Sequence, residues 1–342
     1  MSKQDNIFSI IAPNIKDGGG KVLLEYLLEY LEEKYNNFPV IVYLDPSLSN
    51  ILETENRKVV FLSSTIDKIK LFTRTIDNAL YFGNLPPMKK NKNSMVYFHN
   101  PYLLMNKRRI LSYSFYFFVK FSLLQFYIAR FIHNVDIVAC QSRIIKDSFV
   151  NKYKFNNVEI LPFFRSYKND FKDYEKEYDF SYISIPTPHK NHKLLFDAMG
   201  ILSKENIKIK LAVTIDDKKR ELLQRINQIN SFGVVKIHNL GIINRQQVQS
   251  VYNKTKCIIF PSKEESFGLG LVEAFEMGID VLAPDLDYVH AVIKPSILFN
   301  VDDKASCAHA MKEYLNNEYN NKTLIVVENQ IDQIINKFTS HN

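Results

Sequence analysis

"KCIIFPSKEESFGLGLVEAFEMGIDVLAPD", residues 256–285, changes its structural period twice. The apolar run Cys257-Ile258-Ile259-Phe260 ends in a polar, glycine-bearing segment and reads as a buried strand. Ser262-x-x-Glu265 has the form of a capping box, which offers one place to start a helix. That start would put Gly268 and Gly270 in the helix interior, at about 1 kcal/mol each relative to alanine. Starting near Gly268 and ending at Gly278, a natural αL cap, avoids this cost. Residues 280–285 then form a second strand-like run. Strand, helix and strand in this order make the repeating unit of a parallel sheet. Glu265 falls in the loop beyond a strand, and Glu273 lies about one and a half turns into the helix.

The same alternation runs outward in both directions. Ile7 to Ala12 is strand-like and precedes Gly18, Gly19 and Gly20. "KVLLEYLLEYLEEKY" follows, with a helical stripe at Leu23, Leu24, Leu27, Leu28 and Leu31. "PVIVYLD", "KVVFLS", "MVYFHN" and "VDIVACQS" recur as short β-branched and aromatic runs. A charged stretch, "RSYKNDFKDYEKEYD" (165–179), reads as a linker. Beyond it "FSYISI", "IKLAVTID" and "GVVKIHNLG" lead up to the opening stretch. The expected architecture is α/β, with two doubly wound domains facing each other, one at 1–165 and one at 166–322. A C-terminal helix is expected at 323–342, with the N-terminal domain as its candidate packing partner. Ligands of such sheets sit beyond the carboxyl ends of the strands.

With 342 residues and ordinary apolar and charged fractions, each half can bury its own core. The three cysteines, Cys140, Cys257 and Cys307, are widely spaced and lie in or beside apolar stretches, as buried thiols of a reducing compartment do. No CxxC or HExxH spacing points to a metal. The N-terminal apolar run is too short for a signal peptide, so a cytoplasmic location is expected. A formal charge of +7 points toward anionic partners. The lysines are spread along the chain without a nucleic-acid module, and no nucleic-acid partner is expected. Residues 106–134, "NKRRILSYSFYFFVKFSLLQFYIARFIHN", mix aromatics with basic residues. Lys120, Gln125 and Arg130 leave no uncharged run near the roughly 20 residues that span a bilayer. The segment suits core helices, an anionic membrane surface, or both on different faces.

Two more loops carry unusual chemistry. The three glycines after the first strand let backbone approach a ligand, although a plain tight turn accounts for them equally. In "SIPTPHKNHKLLFDAMGIL", Asn191 is a plausible N-cap. His189, Lys190, His192 and Lys193 crowd the first turn, where positive charge opposes the helix dipole. Cations belong there if an anion such as a diphosphate completes the site.

"FPSKEESFGLGLVEAFEMGIDVLAPDL" resembles the E-x7-E signature of family-4 retaining glycosyltransferases of the GT-B fold, and "PTPHKNHKLLFDA" resembles their donor-phosphate loop. The resemblance is specific over about 180–305 and loose before it, and it points to the bacterial surface-polysaccharide type, O-antigen and capsule included. It implies transfer of a sugar from a UDP- or GDP-sugar to a lipid-linked or polysaccharide acceptor, on the inner face of the cytoplasmic membrane. No metal and no cofactor beyond the nucleotide-sugar co-substrate are implied. Glu265 would contact the donor sugar near its anomeric carbon, and Glu273 the ribose hydroxyls. Lys190 would neutralise the departing diphosphate. Ser266 and the amides of Phe267, Gly268 and Leu269 would bind the donor, with Gly19, Gly20 and His189. His99 matches the family's histidine near sugar and acceptor. Ser184 and Ile185 stand where many members carry a Gly-Arg pair, so the second phosphate-binding cation is either missing or replaced by His189 or Lys193. A catalytically silent partner subunit and a nucleotide-sugar epimerase are the competing readings.

Overall fold

The computed structural model describes residues 7–111, 114–166 and 174–340. Positions 167–173 of the expected linker, the first six residues of the chain and 112–113 in the aromatic segment lie outside the described residues. Two compact units form, one from 1–165 with 328–342 and the other from 166–327.

Unit 1 is built on a parallel sheet of β1 (Phe8–Ala12), β2 (Val40–Leu44), β3 (Arg57–Phe61), β4 (Ala79–Phe82), β5 (Ser94–Phe98), β6 (Ile137–Cys140) and β7 (Val158–Ile160). The order is β3-β2-β1-β4-β5-β6-β7, so the direction of winding reverses between β1 and β4. Sequence reading missed the three-residue edge strand β7 and, at the centre of the sheet, β4. Its four residues, Ala-Leu-Tyr-Phe, are all buried at the centre of the sheet. A run so short, buried on both faces, shows no alternation to read.

Helices α1 (Gly18–Lys34), α2 (Thr65–Phe72), α3 (Lys107–Leu111), α4 (Phe115–Phe131) and α5 (Arg143–Tyr153) accompany this sheet. α1 buries all five leucines of its stripe. It begins at Gly18 itself, whose φ of +64° suits glycine, so the three glycines form the first helical turn rather than a loop before it.

α4 and the 3₁₀ turn after it make a helix, Phe115–Asn134, long and apolar enough by length and composition to cross a membrane. This differs from the expectation drawn from its interrupting polar residues. One side of α4, carrying Phe121 and Ile128, packs into the same core as Val138 of β6 and Phe149 of α5. The opposite side leaves Tyr116, Val119, Leu123 and Phe126 exposed, a single stripe at helical spacing.

Unit 2 repeats the plan with β8 (Tyr178–Tyr182), β9 (Ile209–Val213), β10 (Val235–Asn239), β11 (Thr255–Ile259), β12 (Asp280–Pro284), β13 (Ile293–Lys294), β14 (Ile297–Phe299) and β15 (Leu324–Ile325). The main sheet is parallel in the order β10-β9-β8-β11-β12-β14, while β13 and β15 form a small antiparallel pair. Its helices are α6 (His192–Lys204), α7 (Arg220–Asn230), α8 (Arg245–Asn253), α9 (Leu269–Glu276), α10 (Asp287–His290) and α11 (Lys304–Leu315).

The last helix, α12 (Ile331–Thr339), belongs to unit 1. It buries Ile331, Ile334, Ile335 and Phe338, and the Phe338 ring stacks on Phe8 of β1 with centroids 4.5 Å apart. Its Asp332 accepts hydrogen bonds from the hydroxyls of Tyr30 and Tyr35 on and just beyond α1.

Candidate functional site

Two loops of unit 2, after the adjacent strands β8 and β11, bring the main charged groups together. Lys190 Nζ donates to Glu265 Oε1 at 2.5 Å, and Ser262 Oγ donates to the same oxygen at 2.6 Å. Both charged side chains are largely buried, at 19% and 13% exposure. The Lys190 ammonium also sits 5.7 Å from the centre of the Phe260 ring, where it is attracted to the π face.

The backbone beneath this pair is held at several points. Lys263 N–H donates to the His189 carbonyl, and Tyr182 donates its hydroxyl to the Lys190 carbonyl. Tyr288 donates to the Ser262 carbonyl at 2.6 Å. Burial, with the Glu265 charge as a second cause, raises the pKa of the Tyr288 phenol, which therefore stays protonated as a donor. His189 lies 3.2 Å from Thr187 Oγ1 through Nδ1, and burial lowers its pKa, so it is a weaker cation than a free histidine.

Ser262 and Glu265 do pair, but no helix starts there, so they do not act as a capping box. α9 begins at Leu269, with Gly268 as its cap residue at φ +86° and, among the described residues, no side-chain cap hydrogen bond from that residue. A Cβ at Gly268 would stand 3.0 Å from Leu271 Cδ1, so both its conformation and its surroundings require glycine. Glycine at this place leaves a helix start open to an anion. Phe267 is buried, Ser266 and Leu269 are half-buried, and Gly278 closes the helix at φ +67°. Glu273 lies within α9 and is half-buried.

Two expectations at the lysine-bearing loop are corrected. Asn191 occupies the cap position of α6, but its backbone is left-handed and its side chain donates to the Val301 carbonyl instead of capping the helix. His192 does not face outward beside the other cations. It is buried against the rings of Tyr182 and Phe196. Periodicity held the signal, since His192 continues the stripe of Leu195, Met199 and Leu202. The charge pattern masked it.

In unit 1, Gly20 and His99 come together. A Cβ on Gly20 would stand 3.1 Å from His99 Nε2, so α1 approaches the imidazole closely only because the residue is glycine. Asn84 Oδ1 accepts from the backbone N–H groups of His99 and Asn100, and Asn84 Nδ2 stands 3.5 Å from His99 Nε2. The residue keeps some exposure, and burial lowers the pKa of its ring to about 4. The ring is therefore neutral near neutral pH. Asn84 was not legible as a site residue because it follows the unrecognised β4. Gly19 is exposed in the first turn of α1.

The family model of glycosyl transferases group 1 matches residues 163–332. This part of the chain, 170 of its 342 residues, is similar to that family. The group 1 segment spans all of unit 2. A Salmonella typhimurium protein, O-antigen chain mannosyltransferase RfbU, is 26% identical over 192 residues, covering 54% of this chain. The chain thus spans about half the length of that curated relative (53%). Among solved structures, sucrose-phosphate synthase from Thermosynechococcus elongatus aligns over 91% of this chain and 90% of its own, with TM-score 0.66 and 13% identity. Anabaena HepE, solved with UDP and glucose, aligns over the same shares with TM-score 0.64 and 13% identity. The lipopolysaccharide outer core galactosyltransferase WaaB aligns over 97% of this chain and 94% of its own, with TM-score 0.56 and 13% identity. These likenesses identify the fold as GT-B, with two parallel-sheet α/β domains.

Proposed function

We propose that this chain moves a sugar, with retention of anomeric configuration, from a nucleotide-diphosphate sugar to a glycan acceptor in surface-polysaccharide synthesis. The observation that carries the reading is the Lys190–Glu265 pair beside the uncapped start of α9. Paired with each other, Lys190 and Glu265 neutralise each other's charge. A donor diphosphate offers Lys190 a stronger anionic partner, and release of that lysine frees the Glu265 carboxylate for the sugar. As the bond from sugar to phosphate breaks, negative charge grows on the diphosphate and positive charge on the anomeric carbon. Lys190 and the helix start stabilise the first, and Glu265 the second. Glu273 is assigned to the ribose. His99, neutral and partly exposed, is assigned a hydrogen bond to a sugar or acceptor hydroxyl.

The group 1 match and the O-antigen relative support the reaction class and the setting. The UDP and glucose bound by HepE support a nucleotide-sugar donor, UDP- or GDP-linked. We assign the positive charge at the leaving group to Lys190 rather than to a divalent ion. The acceptor is assigned as lipid-linked, and the protein as peripheral on the cytoplasmic membrane face, because of the exposed aromatic stripe on α4 and its basic neighbours.

Steady-state kinetics on a panel of nucleotide sugars, with and without chelator, test the proposal. Glu265→Gln removes an interaction strongest in the transition state, so it lowers kcat with nucleotide binding retained. Glu273→Ala removes binding common to substrate and transition state, so it chiefly raises KM. Equal, small effects in the two variants overturn the assignment. Turnover abolished by chelator overturns the metal-independent leaving group, and an inverted product overturns retention.

A further inference from the structure

The segment that leaves β5 carries His99 and then makes a tight 3₁₀ turn, Pro101–Leu103, before α3. Carbonyls at the end of such a turn lack backbone partners and are commonly left to water. Here four successive carbonyls are each taken by a side chain from a helix distant in sequence. Gln125 Nε2 on α4 donates to the Tyr102 carbonyl at 3.4 Å and to that of Met105 at 3.0 Å. The Tyr153 hydroxyl on α5 donates to the Leu103 carbonyl at 2.7 Å. Lys152 Nζ donates to the carbonyls of Leu104, at 3.4 Å, and Met105, at 2.7 Å.

Two observations separate this arrangement from ordinary loop packing. The donors stand where burial opposes them. Gln125 is buried on α4 with Phe121 and Ile128, and a buried amide is tolerated only when it is paired. Lys152 is half-buried, and burial, with the Lys107 charge as a second cause, lowers its pKa. The start of the same segment is held as well. Asn84, left-handed at φ +72°, accepts from the N–H groups of His99 and Asn100. Side chains therefore hold the amides at one end of residues 99–105 and the carbonyls at the other.

We propose that Gln125, Lys152 and Tyr153 are positioning residues for the acceptor side of the reaction. They fix the turn after His99 and so keep its imidazole in one place while an acceptor hydroxyl docks against it. This rests on the sugar-transfer function proposed for the chain. A sugar activated by departure of the diphosphate is open to any water that reaches it, but to an acceptor hydroxyl only when that hydroxyl is lined up. Misplacing the group that lines it up by about 1 Å can cost about 100-fold in rate.

The partition of donor sugar between acceptor and water tests this. UDP-glucose and GDP-mannose serve as donors, and methyl and decyl glycosides of glucose, galactose and mannose as acceptors. Gln125→Met/Lys152→Met keeps side-chain length and removes the donors, and is expected to lower the ratio of transfer to hydrolysis at least about tenfold. Tyr153→Phe removes one hydroxyl, so it keeps the test open where a thermal melt finds the double variant unfolded, and is expected to lower the ratio about threefold. Lys152→Arg retains cationic donors and is expected to stay within about twofold of the wild type. The His99 ring gives a readout that needs no acceptor. Its titration by NMR, set at about 4 by burial, is expected to move toward 6.5 in the variants as the ring gains freedom. An unshifted His99 titration overturns the positioning role. So does an unchanged ratio in folded variants, or loss of transfer and hydrolysis in parallel with the melt, since either means that the donors serve only the fold. A wild type that turns over neither donor overturns the sugar-transfer reading itself, and this proposal with it.

Discussion

Glu265 accepts hydrogen bonds from Lys190 and Ser262 at once, so its carboxylate is oriented before any ligand arrives. That arrangement also makes Glu265→Ala a poor probe, because it would strand a largely buried ammonium. The glutamine variant keeps shape and hydrogen bonding and removes only charge. His192 carries the clearest pH dependence at this scale. Burial, reinforced by the nearby Lys190 charge, lowers its pKa to about 4 from an unfolded value of 6.5. In that interval the unfolded chain binds a proton that the folded chain refuses. Stability from this residue is therefore intact above the unfolded pKa and falls as the pH drops toward 4. The full difference is about 3 kcal/mol. Urea unfolding across this range should show His192→Phe losing less stability than the wild type, by up to that amount. Parallel losses in both proteins would mean that His192 does not titrate as described.

α4 shows how one element can serve two solvents. Phe121 and Ile128 enter the core, while Tyr116, Val119, Leu123 and Phe126 face away from it, with Lys120 exposed on the same helix. Lys107, Arg108 and Arg109 of α3 are exposed close by in sequence. An apolar stripe flanked by cations is the pattern of a helix lying in the headgroup layer of an anionic membrane. A helix whose other side is committed to a protein core cannot give up that side to lipid. We therefore expect Leu123→Glu/Phe126→Glu to leave the melting temperature nearly unchanged and to reduce flotation with phosphatidylglycerol liposomes at least about tenfold. Unchanged flotation would remove the membrane role from this face.

At the level of the whole molecule, the last helix completes the first unit. α12 covers Phe8 of the central strand β1 with Phe338 and engages α1 through Asp332. Truncating Phe338 to alanine should destabilise unit 1 by about 3–5 kcal/mol, since it opens a cavity against a buried ring. Hydrogen exchange resolved by segment can read this, with protection lost in β1 and α1 and kept in unit 2. Equal loss in both units would show that the two unfold together.

The strands β1, β2, β3, β5, β6 and β8 to β12 could be read because each is an apolar run ended by polar or glycine residues. The start of α9 could be read because Gly268 is expensive inside a helix and cheap at its cap. Local chemistry dictates such features, so the sequence contains them. The packing of the chain settled the others. β4 has too few residues for any period, and it becomes a central strand only because β1 and β5 pair with both its edges. His192 carries the same local signal as its neighbours His189 and Lys190, and it is buried because α6 turns that position toward Tyr182. The two residues that hold Glu265 lie 75 and 3 positions from it. Ser262 was visible at that spacing, but its meaning changed from helix cap to carboxylate anchor. Lys190 meets Glu265 only because β8 and β11 are neighbours in the sheet. Spacing along a chain reports which groups share a turn or a face. Only strand order brings distant loops to one place.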